Sequence, residues 1–241
     1  MSIYIAGGAT AAFSGLLYFQ YRSYREDSLK TLFLNNPDHE KFFKETHESI
    51  AETYDHEMKD YEWAKRIDKY RKVLCSYSEG KVLEVGIGTG LNFGFYPDSI
   101  SLTGIDWSPR MLSKTKENLT GRTKLIQMNA KNMEFGDSSF DTVVSTFLLS
   151  SSDSPDEVMK EIARVCKEGG KVLILDRGKG DDWLTNLYLS LYRFENLFKL
   201  GYDQCANIDR IVKKSGLKVE IEEKKQGSSI YFYILRKETK L

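Results

Sequence analysis

The stretch Val82–Gly90 reads VLEVGIGTG. Gly86, Gly88 and Gly90 alternate with other residues, and Glu84 stands just ahead of them. Glycine lets a backbone turn through conformations closed to other residues, and it lets a ligand approach with no Cβ in the way. Asp106 follows about 20 residues on, the distance at which an acid closing a second strand can accept ribose hydroxyls. A glycine loop and a downstream acid are chemistry for holding a nucleoside-bearing ligand. A dinucleotide loop, G-x-G-x-x-G/A, would need a small residue at position 91, where the chain has Leu91. A nicotinamide-dependent oxidoreductase is therefore disfavoured. No Ser/His/Asp set is visible. Cys75, Cys166 and Cys205 are too scattered for a disulfide framework or a zinc site. His39, His47 and His56 precede the loop with no cysteine nearby and read as solvent-facing helix residues, so no metal is expected.

These residues need elements to position them. The runs 81–85, 101–106, 124–130, 141–149 and 171–176 are short and rich in Val, Ile and Leu, as strands buried on both faces are. Helices separate them. In 155–169, Val158, Ile162 and Val165 share one face, Ser154 can cap, Pro155 suits the first turn and Gly169 the stop. Ser108-Pro109 marks another start, and a further helix is expected directly after Gly90. Runs 217–224 and 228–237 have no helix-length segment between them and read as an antiparallel hairpin. The pattern is α/β: a Rossmann-like, doubly wound, seven-stranded sheet, mostly parallel, with an antiparallel C-terminal hairpin. Ligands bind such sheets at the carboxyl ends of the strands, near the switch in strand order.

E-x-G-x-G-x-G, with Glu84 leading, resembles motif I of the class I S-adenosylmethionine-dependent methyltransferases. D-W-S-P-R-M-L (106–112), F-D-T-V-V-S (140–145) and C-K-E-G-G-K-V-L-I-L-D (166–176) resemble later segments of that family, in order, across residues 81–176. The resemblance implies S-adenosyl-L-methionine as cofactor, with Gly86, Gly88 and Gly90 at its amino-acid end and Glu84 setting the loop. It puts Asp106 on the ribose, and Trp107, Met111, Asn129 and Ala130 around the adenine. Asn129 departs from the family's usual Asp. The donor's methyl is already activated, so the protein must mainly hold a nucleophile in line and exclude water. Asp176 and Asp203 are open as bases or as structural acids, and Cys205 reads as a packed thiol.

From Ile3 to Phe19 no residue is charged, and Arg22 and Arg25 follow. The run approaches the ~17–25 residues that span a bilayer, and Tyr18 and Tyr21 suit its interface. A cleaved targeting peptide would start with a positive region, absent here; a buried helix is the other rival. Residues 1–21 are expected to be a membrane anchor, 22–76 a helical linker and cap, and 77–241 the methyltransferase domain. The span, the length of 241 residues, N-F-G-F-Y-P (92–97) and G-Y-D-Q-C-A-N (201–207) resemble the membrane-anchored thiol methyltransferases of animals and the single-span mitochondrial methyltransferases of fungi. The expected partners are the membrane, through residues 3–19, and a small apolar acceptor such as a thiol or quinone precursor. The Ala/Gly-rich run favours a mitochondrial membrane over the endoplasmic reticulum. A net charge of +0 gives no nucleic-acid surface. The alternative is a non-enzymatic membrane assembly factor that keeps the fold.

Overall fold

The structure, a computed structural model, describes residues 2–117, 119, 123–225 and 229–239, apart from the side chains of residues 2–14 and 60–64. One seven-stranded sheet organises the chain: β1 (Lys81–Val85), β2 (Ser101–Asp106), β3 (Lys124–Gln127), β4 (Phe140–Thr146), β5 (Cys166–Arg177), β6 (Lys218–Lys225) and β7 (Ile230–Arg236). Its order is β3-β2-β1-β4-β5-β7-β6. β1 to β5 pair in parallel, and β7 runs antiparallel between β5 and β6, as the C-terminal pattern predicts. Strand order reverses between β1 and β4, so the loop after β1 opens at the switch point.

Alternation along the strands divides the core. Leu83, Val85, Val143 and Ile174 pack against Val158 and Ile162 of α6 (Pro155–Val165) and Ile208 and Ile211 of α9 (Ile208–Lys214). Val82, Val144 and Leu173 face the other way, against Ile67 and Leu74 of α4 (Ile67–Ser76).

Local differences from the expectation have local causes. The segment after Gly90 forms one 3₁₀ turn, Phe93–Phe95, not a helix. Pro97 cannot extend a helical turn, and the Asn92 side chain is drawn inward to Glu84. Helix α6 stops at Val165, where Cys166 takes an extended conformation and β5 begins, before the expected stop at Gly169. Ser154 occupies the N-cap of α6, but its hydroxyl donates to Asp153. The segment from Asp55 to Ser76 is interrupted at Arg66, with φ 53°, between α3 (Tyr54–Lys65) and α4.

The first helix, α1 (Ser2–Leu34), is continuous. Among the described residues no helix is long and apolar enough to cross a membrane; the expected span, Ile3–Phe19, falls mostly on side chains outside them. The later part of α1 docks on α8 (Arg193–Leu200). Buried Glu26 accepts the Phe194 and Glu195 amides at 2.7 and 3.2 Å, satisfying first-turn donors of α8 that have no partner within the helix. Arg22 reaches Glu195 at 2.5 Å and the Leu191 carbonyl at 2.9 Å.

Candidate active site

β1 delivers the chain into three glycines that all hold positive φ: 72° at Gly86, 57° at Gly88 and 88° at Gly90. The loop is pinned beneath by Gly86 and Ile87 amides donating to the Ile105 carbonyl, each at 2.9 Å. The three glycines serve different ends. A Cβ on Gly86 would sit 2.8 Å from Leu148, and one on Gly90 2.7 Å from Phe93 and 3.1 Å from Thr115. A Cβ on Gly88 would meet nothing within 4 Å. Gly86 and Gly90 permit close packing, whereas Gly88 leaves open the cleft above it.

Asp106 ends β2 with its carboxylate under this loop. One oxygen accepts the Gly88 amide and the other the Ser108 amide, both at 2.9 Å. Burial raises its carboxyl to about 6, against these hydrogen bonds, which lower it. The cleft above is lined by Gly86, Gly88, Asp106, Trp107, Met111, Asn129 and Ala130. The fold thus gathers seven of the nine residues singled out from the sequence into one cavity. Glu84 and Gly90 do not line it.

Glu84 points to the α4 face of the sheet, as alternation after Val82 requires. Asn92 donates to one of its oxygens at 2.7 Å and Tyr96 to the other at 2.8 Å. Arg71 of α4 donates to Asn92 at 2.8 Å and to Thr146 at 3.1 Å. Burial pushes the Glu84 carboxyl up to about 7, partly offset by Tyr96, Asn92 and Arg71. The N-F-G-F-Y-P segment therefore holds this acid and braces the glycine loop from below.

The N-terminal helices supply walls that the sequence did not point to. His47, on α2 (His39–Ile50), lines the cleft with Trp107, the rings 6.3 Å apart, and its Nε2 bonds the Gly201 carbonyl at 3.1 Å. Burial lowers its imidazole to about 4. His47 thus faces the cleft, His39 is half-buried and stacks on Phe33 at 4.3 Å, and His56 is exposed. Glu40 of α2 accepts from Lys131 at 2.6 Å and from Asn129 at 3.3 Å, and Lys131 also meets Asp153 at 2.9 Å. Thr89 donates to Asp55 of α3 at 2.6 Å. Phe147 lines the cleft with φ 58°, held between Arg71, at 5.1 Å from the ring centre, and Arg177, at 4.4 Å.

A second cavity of about 470 Å³ shares Ser152 and Asp153 with the first. Its walls include Phe33, Leu34, Phe43, Phe194 and Leu197, with Lys30 and Lys179 also lining it. Asp203 borders it in a two-point pair with Arg193, at 2.8 and 2.6 Å. Burial raises the Cys205 thiol to about 11, so it stays protonated. Asp176 lines neither cavity: fully buried, it accepts the Leu149 and Arg177 amides at 2.8 Å each, a structural role.

Residues 83–174 match the Methyltransferase domain family. The chain is 39% identical over 165 residues to a phosphatidylethanolamine N-methyltransferase of Cereibacter sphaeroides, covering 65% of this chain and 79% of that protein. It is 36% identical to the thiol S-methyltransferase TMT1B of Rattus norvegicus over 39% of this chain and 41% of that one. To the mitochondrial methyltransferase OMS1 of Saccharomyces cerevisiae it is 24% identical, over 85% of this chain and 47% of that one. The chain therefore spans less than half the length of these last two. In fold it resembles a methyltransferase of Thermotoga maritima at a TM-score of 0.63 and 18% identity, over 81% of this chain and 100% of that one. The [4+2]-cyclase SpnF has the same fold, at a TM-score of 0.57 and 18% identity over 73% of this chain and 82% of that one. Fold alone therefore does not decide the reaction. Sequence does: the glycine loop and strand ends that build the cleft lie inside the matched region, and the chain belongs to the S-adenosylmethionine-dependent methyltransferases.

Proposed function

We propose that the protein is a membrane-anchored methyltransferase that passes the methyl of S-adenosylmethionine to a small apolar acceptor, a thiol or a quinone precursor. The lining of the cleft supports the cofactor reading: a Cβ on Gly88 would meet nothing within 4 Å, which leaves room for the amino-acid end, Asp106 is set for the ribose, and Trp107, Met111, Asn129 and Ala130 border the adenine. Glu84 and Gly90 act from beneath, by shaping the loop. When bound, the cofactor supplies a methyl group activated by a sulfonium. The protein's share is positioning and exclusion of water, with residues 22–76 acting as a cap through His47, Glu40 and Asp55.

The observation that carries the acceptor reading is the second cavity, where Phe33 and Leu34 of α1, Phe43 of α2 and Phe194 and Leu197 of α8 stand beside Lys30, His39 and Arg193, and which shares Ser152 and Asp153 with the cofactor cleft. Its volume of about 470 Å³ falls in the range of small-molecule sites, ~300–1,000 Å³. A thiol, with a reference pKa of ~8.5, supplies its own thiolate near neutral pH. The uncharged run Ile3–Phe19 supports an anchor, with the C-terminal part on the side of Arg22 and Arg25. The Ala/Gly-rich run and the mitochondrial relative support a mitochondrial membrane, to be tested by imaging a C-terminally tagged chain. The activity test supplies methyl-labelled cofactor to the full chain in liposomes with an alkanethiol, a prenylated phenol or phosphatidylethanolamine. Label is expected on the thiol or the phenol. Label on phosphatidylethanolamine alone, or on no organic-extractable product despite cofactor binding, would refute the acceptor class.

A further inference from the structure

Helix α7 (Trp183–Ser190), sequence WLTNLYLS, carries no charge, and none of its residues is buried. Trp183, Leu184, Leu187 and Tyr188 fall on one side at helical spacing. All four are exposed, Trp183 by 71% and Tyr188 by 63%. A contiguous apolar face of this kind marks an interaction surface.

Its position in the fold identifies the occupant. Just past the end of α7, the Leu191 carbonyl accepts Arg22 of α1, and the Tyr192 hydroxyl meets the Tyr18 hydroxyl at 3.1 Å. The Arg22 guanidinium lies 4.1 Å from the Tyr192 ring centre, and the Tyr188 and Tyr192 rings are 5.3 Å apart. The end of α7 is thereby fixed level with residues 18–22 of α1, where the uncharged run ends and the first arginine appears. Leu16, Leu17, Tyr18 and Phe19 are exposed at that level too. Residues 183–192 offer no charge for a protein partner to pair, and Trp and Tyr favour the bilayer interface.

We infer that α7 lies in the interfacial layer of the bilayer that α1 enters, with Trp183, Leu184, Leu187 and Tyr188 facing lipid. This rests on the anchor reading of residues 3–19. It ties the acceptor cavity to the membrane: α8 begins directly after Tyr192, and its Phe194 and Leu197 line that cavity. An acceptor dissolved in the bilayer would then reach the cavity without crossing water.

The test uses the full chain with vesicles of phosphatidylcholine brominated along the acyl chains, which quench only tryptophans close to lipid. The chain has three tryptophans, at 63, 107 and 183. Brominated lipid should dim wild-type emission, and Trp183→Phe should lose most of that quenching. A Trp183→Glu/Leu187→Glu variant should still float with vesicles and keep its rate on a water-soluble thiol. It should lose at least five-fold on an acceptor dissolved in the bilayer. A chain that floats with vesicles while Trp183 stays unquenched overturns the docking but leaves the anchor standing. Unquenched Trp183 together with a dimer crosslinked through α7 assigns the face to a second copy. A chain that does not float at all overturns both readings.

Discussion

Replacing single glycines in the loop after β1 separates binding from folding. Gly88→Ala places a methyl where nothing lies within 4 Å. Its folding cost is the positive φ of 57°, about 1–2 kcal/mol for a residue with a Cβ. At ~2–4 °C per kcal/mol for a chain of this size, Tm should fall by roughly 2–8 °C. Gly90→Ala carries the same φ penalty and also drives its Cβ to 2.7 Å from Phe93. Overpacking adds about 1–3 kcal/mol, so the loss is about 2–5 kcal/mol and the fall in Tm is larger. Binding should show the reverse order. The Gly88 methyl stands in the cleft and would lift the cofactor off Asp106, a hydrogen bond to a charged group worth about 1.5–3 kcal/mol. That is roughly ten- to a hundred-fold in Kd. Gly90 lies outside the cleft, so its variant, once folded, should bind within about three-fold of wild type, well under 1.4 kcal/mol. Calorimetric titration with S-adenosylhomocysteine and thermal melts of both variants supply the two readings. Wild-type affinity in Gly88→Ala, with the loss in Gly90→Ala instead, would refute the division of roles.

Further outcomes follow from the buried acids. Asp106 sits at about 6 in the free protein. Affinity for S-adenosylhomocysteine should therefore weaken as pH falls, by roughly ten-fold one unit below that value, where about a tenth of the group is ionised. Asp106→Asn should abolish the trend. Glu84, raised to about 7, holds a proton in the folded state that the unfolded chain releases near 4.5, so its contribution to stability is lost as pH rises between those values. His47, lowered to about 4, acts in the opposite sense between there and 6.5. The informative quantity is therefore a difference: Glu84→Gln should gain stability relative to wild type from pH 4.5 to 7 in urea melts. Glu26→Ala removes the acceptor of two α8 amides; with bonds to charge worth about 1.5–3 kcal/mol, hydrogen exchange in α8 should rise at least ten-fold while β1 and β4 stay protected.

The sheet was legible because its signals are local. Short apolar runs marked β1 to β5, and two strand-like runs without an intervening helix marked the hairpin. Asp106 followed from its place at the end of a strand, and Trp107, Met111, Asn129 and Ala130 from the resemblance of their segments to the methyltransferase family. What escaped depends on contacts far apart in the chain. His47 looks like any polar helix residue until Gly201 and Trp107 close around it. Asn129 in place of an acid makes sense once Glu40, from α2, stands 3.3 Å away, since a second carboxylate there would repel it. Phe147 adopts φ 58° without the Gly or Asn that signals it. The missing helix after Gly90 reflects Asn92 and Tyr96 turning inward to Glu84, which no periodicity encodes.

The central claim is that the cleft between the glycine loop and Asp106 holds the cofactor. Calorimetry of the full chain in detergent with S-adenosylhomocysteine, comparing wild type with Asp106→Ala, addresses it most directly. Wild type should bind S-adenosylhomocysteine and give no heat with NAD, and Asp106→Ala should bind ten- to a few hundred-fold more weakly, at 1.4 kcal/mol per factor of ten. A melt in parallel, with folded Asp106→Ala retained at the titration temperature, ties the loss to the site. Unchanged affinity in a folded Asp106→Ala would put the ribose elsewhere, and binding of NAD in place of S-adenosylhomocysteine would contradict the account altogether.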